Sequence, residues 1–319
     1  MRQQQGVALV LVLWVLSLLI IMAGSFALTM KRESAITGVI KNNAQALSVA
    51  ESGIALAEIM TLGADPTKAW RADGSIYEII TTQAKIRIRL ISELGKIDIN
   101  KAALPVLKRL MSGAPIDEEL KNKLVAAIID WRDADDLVSF EGAEKSEYEE
   151  AGLGYKPRNK PFQSTEELQL VLGMNSVILA WLEPMITVDS EQAQVNLQVA
   201  TPEVLKVFSD LDSDLVNEFV LARLDSARNN LPAPILPIKN ALGAVGQNQK
   251  GAMTIVTEAL MDDKSRAAIN VIVKKSVSNV GPPFQILKWQ LNTANNKSLF
   301  TNTMSQLLVK QYAEPELNN

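Results

Sequence analysis

The sequence predicts an α+β protein: one long N-terminal helix laid on a small antiparallel sheet, with a large all-α domain inserted into that body. Three observations predict it. The stretch from Val7 to Leu28 carries no charge and runs on into a helical pattern. Residues 84–91 alternate apolar and basic, as a half-buried strand does, and their strand partners appear only near the far end of the chain. The residues between read as helices, in two faintly matching copies.

With 319 residues, 47% apolar and 21% charged, the chain is long enough for two domains and is not disordered. A net charge of −4 leaves no basic footprint, so nucleic acid is not an expected partner. The absence of cysteine excludes disulfides, thiol nucleophiles and iron–sulfur clusters; the absence of histidine excludes His-dependent triads and the usual zinc sites. Carboxylate chemistry remains, with the hard cations that carboxylates suit.

The first element is the apolar helix. At ~1.5 Å per residue, Val7–Leu28 reaches roughly 33 Å, enough to cross a hydrocarbon layer of about 30 Å. Only Ser17, Gly24 and Ser25 interrupt it. Three devices use such a stretch. Ser25-Phe26-Ala27 has the small-x-small form of a secretory cleavage site. A plain uncleaved anchor needs nothing from Gly6. A third kind of signal is cut after Gly6 on the cytoplasmic side, makes Val7 the new N-terminus and keeps the helix. Beyond the apolar run, Ile36, Val39, Ile40, Leu47, Ala50, Ile54, Ala57 and Met60 recur at helical spacing, so the helix continues until Gly63 and Pro66 interrupt it.

After a loop carrying Trp70, Asp73 and Gly74 comes the strand at 84–91. Its partners are 268–273 and 284–291, joined through a turn at Ser278, Asn279, Gly281, Pro282 and Pro283. Such distant partners imply an insertion. The expected divisions are a leader at 1–6, a membrane-spanning part at 7–29, the body's first part at 30–97, the inserted helical domain at 98–258, the body's C-terminal strands at 259–293 and a tail at 294–319. In the tail, Leu299 to Val309 is expected to hold a short helix.

Inside the insertion, Ile97-Asp98-Ile99-Asn100-Lys101-Ala102 followed by Val106-Leu107-Lys108 matches Val195-Asn196-Leu197-Gln198-Val199-Ala200 followed by Val204-Leu205-Lys206. Each copy precedes a helix, and a second helix follows at Glu118–Trp131 and at Asp214–Leu224. Paired helices raise a helix-hairpin-helix DNA receptor as a rival function. The turns Ser112-Gly113-Ala114-Pro115 and Ser209-Asp210-Leu211-Asp212 answer it poorly, since neither is the glycine-rich amide cradle that phosphate requires. The repeats read as scaffold. Ser164-Thr165-Glu166-Glu167 reads as a capping box opening a helix through Leu172.

Between the copies lies the densest charge. Asp133, Asp135 and Asp136, with Glu141 and Glu144 on either side of Gly142, have the density of a calcium site without EF-hand spacing. A solvated acidic loop explains the same residues. Paired carboxylates also suit glycosidase chemistry, but nothing else in the chain suggests a substrate cleft.

Gly6 followed by Val7-Ala8-Leu9-Val10 and a long apolar helix resembles the type IV pilin and pseudopilin class, as does the shorter Ala50-Glu51-Ser52-Gly53-Ile54 on the same helix. Asp130-Trp131-Arg132-Asp133 with Asp135 and Asp136, then Gly142-Ala143-Glu144 and Tyr148, then Tyr155-Lys156-Pro157-Arg158-Asn159-Lys160-Pro161-Phe162, resemble the central segment of the minor pseudopilin K family of type II secretion systems. One position departs from the class. The fifth residue after the cut is normally Glu, paired with the free amine of a neighbouring subunit, and here it is Leu11.

The resemblance implies a pilin-like body and a non-enzymatic subunit that caps the tip of a pseudopilus and helps to start its assembly. It implies processing between Gly6 and Val7 by a prepilin peptidase, methylation of the new N-terminus, and calcium in the inserted domain. The implied partners are other minor pseudopilins, the major pseudopilin below and secreted substrates. The implied location is the bacterial inner membrane, crossed once, with the rest of the chain in the periplasm. Packing against neighbours is expected through Val39, Leu47, Ala50 and Ile54, where small residues let helices approach.

Overall fold

The computed structural model describes residues 5–63, 65, 67–208, 212–236, 251–276, 281–291 and 298–313. The expected leader at 1–4, Pro66, the turn residues 209–211, 278 and 279, and the tail residues 292–297 and 314–319 lie outside the described residues.

Helix α1 runs from Gln5 to Thr61 without a break, 57 residues. Its apolar first half is long and hydrophobic enough to cross a membrane and is not buried by any other element among the described residues. The Ser17 and Thr29 hydroxyls donate to the carbonyls of Leu13 (2.8 Å) and Ser25 (3.0 Å), so the polar interruptions are satisfied within the helix. In the second half Ala46, Ala50, Ile54 and Ala57 fall on one face and are buried.

That face lies on a six-stranded sheet. The strands are β1 (Asp73–Ile80), β2 (Ala84–Ser92), β5 (Ala252–Met261), β6 (Arg266–Lys275), β7 (Phe284–Leu291) and β8 (Leu308–Ala313), in the order β7-β6-β5-β2-β1-β8. All neighbours are antiparallel except β1 and β8. Alternation along β2 sends Ile86, Ile88 and Leu90 toward α1, and Lys85, Arg87 and Arg89 to the opposite face. The approach is close at Gly53, where a Cβ would stand 2.5 Å from Thr257 Oγ1; that hydroxyl donates to the Ala50 carbonyl at 3.0 Å. The helix is seated on the sheet by small residues and one hydroxyl.

The body is larger than expected. β1 takes the place of the loop expected around Asp73 and Gly74, and β5 falls partly within the span expected to be inserted. Both strands contain a buried acid that weakens their apolar pattern, Glu78 and Glu258. Tertiary contacts supply its partner in each case. Glu78 pairs across the ladder with Arg87 at 2.6 Å, and Glu258 accepts from the Leu299 amide and the Ser298 hydroxyl. Arg87 in turn donates to Leu299 O and Ser305 Oγ, both at 2.9 Å. Residues 298–313 are therefore built into the body: they cover Arg87 on the basic face of β2 and add β8 to the sheet's edge. The short helix expected there shrinks to four residues, Asn302–Ser305 (α8).

The insertion leaves the sheet after Ser92 and returns at Ala252, so the structure places its boundaries near 93 and 251 rather than at 98 and 258. A parallel pair, β3 (Ile97–Asp98) and β4 (Ile186–Thr187), ties its two halves together. Its helices are α2 (Leu104–Ser112), α3 (Glu118–Arg132), α4 (Lys145–Glu150), α5 (Ser176–Leu182), α6 (Pro202–Phe208) and α7 (Ser213–Arg228), around their own apolar core. The repeat is structural. Asp117 and Asp212 cap α3 and α7 in the same way, accepting from the amides of Leu120 (2.8 Å) and Leu215 (2.9 Å). Arg132 on α3 donates to the Ile99 and Ala102 carbonyls, and Arg223 on α7 donates to those of Gln198 and Ala200. The helix expected from Ser164 through Leu172 is instead a 3-10 turn, Thr165–Leu170. The Glu167 carboxylate does not turn back to cap Ser164. It is taken by Trp131 Nε1, Arg158 Nη1 and the Gln163 amide.

Candidate metal centre and assembly surfaces

The acidic loop begins where α3 ends. The last turn of α3 presents Asp130 and Asp133, and places Trp131 in the core against Tyr148 and Phe162, with ring centroids 6.0 Å away in both cases. Asp130 is fully buried. Its Oδ2 accepts from the amides of Ser139 (3.1 Å) and Ala143 (2.9 Å), which folds the loop back over the helix end. Gly142 makes this possible, because a Cβ there would lie 2.0 Å from Asp130 Oδ2. Glu144, also buried, then opens α4 as its N-cap, its amide donating to Glu147 Oε2 at 2.8 Å. A second loop reaches in from Asn159, whose Nδ2 donates to Asp135 O and Asp136 Oδ1.

Four oxygens of this scaffold, Asp130 Oδ1, Asp133 Oδ1, Glu144 Oε1 and Asn159 Oδ1, are buried and accept no hydrogen bond. Burial, followed by the charges of Asp130, Asp133 and Asp136, pushes the Glu144 carboxyl up to about 7. Burial, Asp130 and Asp135 raise that of Asp133. Among the described residues no three acidic side chains stand close enough together to chelate an ion as they are. Crowded carboxylates and an amide oxygen, all of them acceptors, nevertheless form a donor set that suits a hard cation such as calcium; such an ion would satisfy the orphaned atoms and relieve the repulsion.

Of the residues expected here, Asp133 and Glu144 have oxygens inside the site. Asp135, Asp136 and Glu141 stand exposed at its rim, Asp135 with its carboxylate on the Leu137 amide (2.9 Å) and Glu141 at a left-handed φ of 64°. Asp130 and Asn159 belong to the site and were not among the expected ligands. The signal for Asp130 was an acid ending the apolar run Val125-Ala126-Ala127-Ile128-Ile129. Asn159 carries only its place in a Pro-bracketed turn.

The expected packing stripe divides. Ala50 (0% exposed) and Ile54 (6%) are covered by the chain's own sheet, and Leu47 packs partly against the same core, so these residues hold the body together. Val39 is 59% exposed and, with the exposed Ile36 and Ile40, lies N-terminal to the part of α1 that the sheet covers. The period located an apolar stripe, and the sheet takes its C-terminal part, from Ala46 onward. Leu11 is exposed on the free half of the helix, and no ionisable side chain occurs from Val7 to Met30.

Comparison with known proteins places these features. The profile described as type II secretion system (T2SS), protein K, matches residues 84–190. The chain is 28% identical over 224 residues to the type II secretion system protein K of Klebsiella pneumoniae, covering 63% of this chain and 68% of the relative. It is 27% identical over 228 residues to that of Aeromonas hydrophila, covering 63% and 69%, and 24% identical over 245 residues to that of Pseudomonas aeruginosa, covering 70% and 73%. Its fold is similar to a chain in the crystal structure of the GspK–GspI–GspJ complex from enterotoxigenic Escherichia coli, with a TM-score of 0.57 and 17% identity, over 81% of this chain and 99% of that one.

Proposed function

We propose that this chain, which matches the protein K family of type II secretion systems over residues 84–190, is a minor pseudopilin that caps the tip of the pseudopilus and helps to start its assembly. One observation carries this reading. The apolar stretch of α1 from Val7 to Met30, which is exposed and available for packing into a filament, bears Leu11 and no carboxylate. A carboxylate inside an apolar assembly is tolerable only with a cation beside it, and a subunit with nothing above it has no amine to meet. Processing after Gly6 would leave Val7 at the start of the retained helix, which crosses the inner membrane once, with the body and insertion in the periplasm. The role is structural and not enzymatic. The partners are other minor pseudopilins, as in the complex formed by the structural neighbour, with the major pseudopilin below. The exposed strip of Ile36, Val39 and Ile40 on α1 supports such packing. Co-purification of the chain with the other minor pseudopilins tests the assignment; failure to form a complex would remove it.

Calcium is the proposed ligand of the acidic loop, held by oxygens of Asp130, Asp133, Glu144 and Asn159, with Asp135, Asp136 and Glu141 at the rim. Its role is to order the loop. Thermal melts with calcium and with chelator decide this. Calcium should raise the melting temperature of the parent and have little effect on Asp133→Ala. Equal responses in the two proteins would leave a solvated acidic loop.

A further inference from the structure

Strand β7 is the open edge of the sheet. It pairs with β6 on one side, and on the other no described residue pairs with its backbone. The opposite edge is closed by the insertion: α7 packs along β8, and Arg228 donates to the Leu308 carbonyl at 2.7 Å. Edge strands are ordinarily blunted by proline, by charge or by being short. β7 is eight residues long without proline, and the ammonium of its one charged residue, Lys288, is tied to Glu166 at 2.6 Å on the face away from α1. A bulge opposite Ile272 and Val273 bends the strand, after which residues 288–291 pair regularly with β6.

This edge is also apolar. Ile286, Trp289 and Leu291 stand opposite Val273, Val271 and Ile269, so they point to the face that carries α1. The three β6 residues are fully buried, because α1 lies over β2, β5 and β6. Ile286, Trp289 and Leu291 lie beyond the helix and remain 53%, 43% and 57% exposed. Such an edge selects its occupant. Lipid could not satisfy a row of unpaired N–H and C=O groups, and a helix spends its own backbone groups internally. An extended segment completes the ladder and covers the three side chains at once. The Leu291 end of β7 is also the end nearest the exposed strip of α1: Leu291 pairs with Ile269, and Ser265, just ahead of β6, donates to the Asn42 carbonyl at 3.5 Å.

We propose that the outer edge of β7 takes a strand from another minor pseudopilin, paired main chain to main chain along residues 288–291 and apolar where it meets Ile286, Trp289 and Leu291. The identity of the partner rests on the minor-pseudopilin reading; the demand for a strand does not.

The test is hydrogen exchange, read by mass spectrometry, on the full chain in detergent, alone and with the other minor pseudopilins. The outward amides of β7 should exchange freely in the chain alone and slow by about tenfold or more in the complex. Trp289→Lys should weaken the complex by about tenfold, as loss of a buried anchor does, whereas Leu221→Lys, at an exposed apolar residue of α7, should not. Slowing in the chain alone as its concentration rises would make the occupant a second copy, and slowing on transfer to phosphatidylethanolamine–phosphatidylglycerol vesicles would make it lipid; either result overturns the proposal. A complex that leaves β7 exchanging freely, or that Trp289→Lys does not weaken, overturns it too and leaves the minor-pseudopilin reading standing. No complex at all removes both.

Discussion

Gly142 shows how one residue can hold a site together through what it lacks. With hydrogen in place of a methyl group, the loop closes over the Asp130 carboxylate; with Cβ present, 2.0 Å from Oδ2, the loop or the acid must move. Gly142→Ala should therefore cost about 1 to 3 kcal/mol, the range for forced overpacking, and should also blunt the response of the melting temperature to calcium. Differential scanning fluorimetry with and without the ion reads both. The sequence made part of this site legible, because a run of acids is conspicuous. It left open which oxygens turn inward, since that depends on the burial of the α3 terminus beneath Trp131. Asp130 belongs to the site because its helix buries it, and Asp135 stays at the rim because Leu137 takes its carboxylate. Neither fact has a period or a spacing.

Elements were legible where one periodicity ran undisturbed. α1, β2, β6, β7 and the paired helices of both repeats were readable on that basis, while β1 and β5 each hide behind a buried glutamate whose partner only the fold supplies, Arg87 across the β1–β2 ladder for Glu78 and residues 298 and 299 for Glu258. The repeat carries its own test. Arg223 holds the carbonyls of Gln198 and Ala200 ahead of α6, as Arg132 holds those of Ile99 and Ala102 ahead of α2. Arg223→Met keeps the stem but leaves those acceptors buried and unpaired, and should cost about 1 to 3 kcal/mol in urea unfolding. The link between insertion and sheet has a pH signature. Burial alone would raise the Glu166 carboxyl, but the Lys288 ammonium, a backbone amide and Gln290 outweigh it and hold it at about 2, below its ordinary 4.5. A lowered folded-state value stabilises the protein above 4.5 and loses that contribution as pH falls toward 2. Glu166→Gln should thus be less stable than the parent near neutrality, with the gap closing between those values. Because the Glu166 side chain is 48% exposed, added salt should narrow the gap as well.

At the scale of the whole molecule, the body is a sheet carrying a helix, and the insertion enters where the sheet can spare it. Ser92 and Met253 face each other as ladder partners on adjacent antiparallel strands β2 and β5. The insertion therefore starts and ends at one point, and a short hairpin turn in place of residues 93–251 should leave the order of the strands intact, at the loss of what α7 lends the body, Leu224 in its core and Arg228 on the Leu308 carbonyl. That makes the tip assignment separable into two features, bulk above and a missing carboxylate below. If bulk stops the filament, the deleted chain should still fold and should no longer prevent subunits from adding above it; circular dichroism checks the first point and pseudopilus length the second. If the missing carboxylate matters, Leu11→Glu puts an acid where no neighbour supplies an amine, at a cost of up to about 3 kcal/mol within a membrane helix. Secretion, measured as the ratio of exported to retained substrate, should fall in that variant, because an unpaired acid disfavours the seated tip. The deletion and Leu11→Glu together should restore part of the loss, since a subunit stacked above now brings the amine that the acid needs. Normal secretion by the double variant and by both single variants would mean that neither feature matters at the tip, and the capping role would fall.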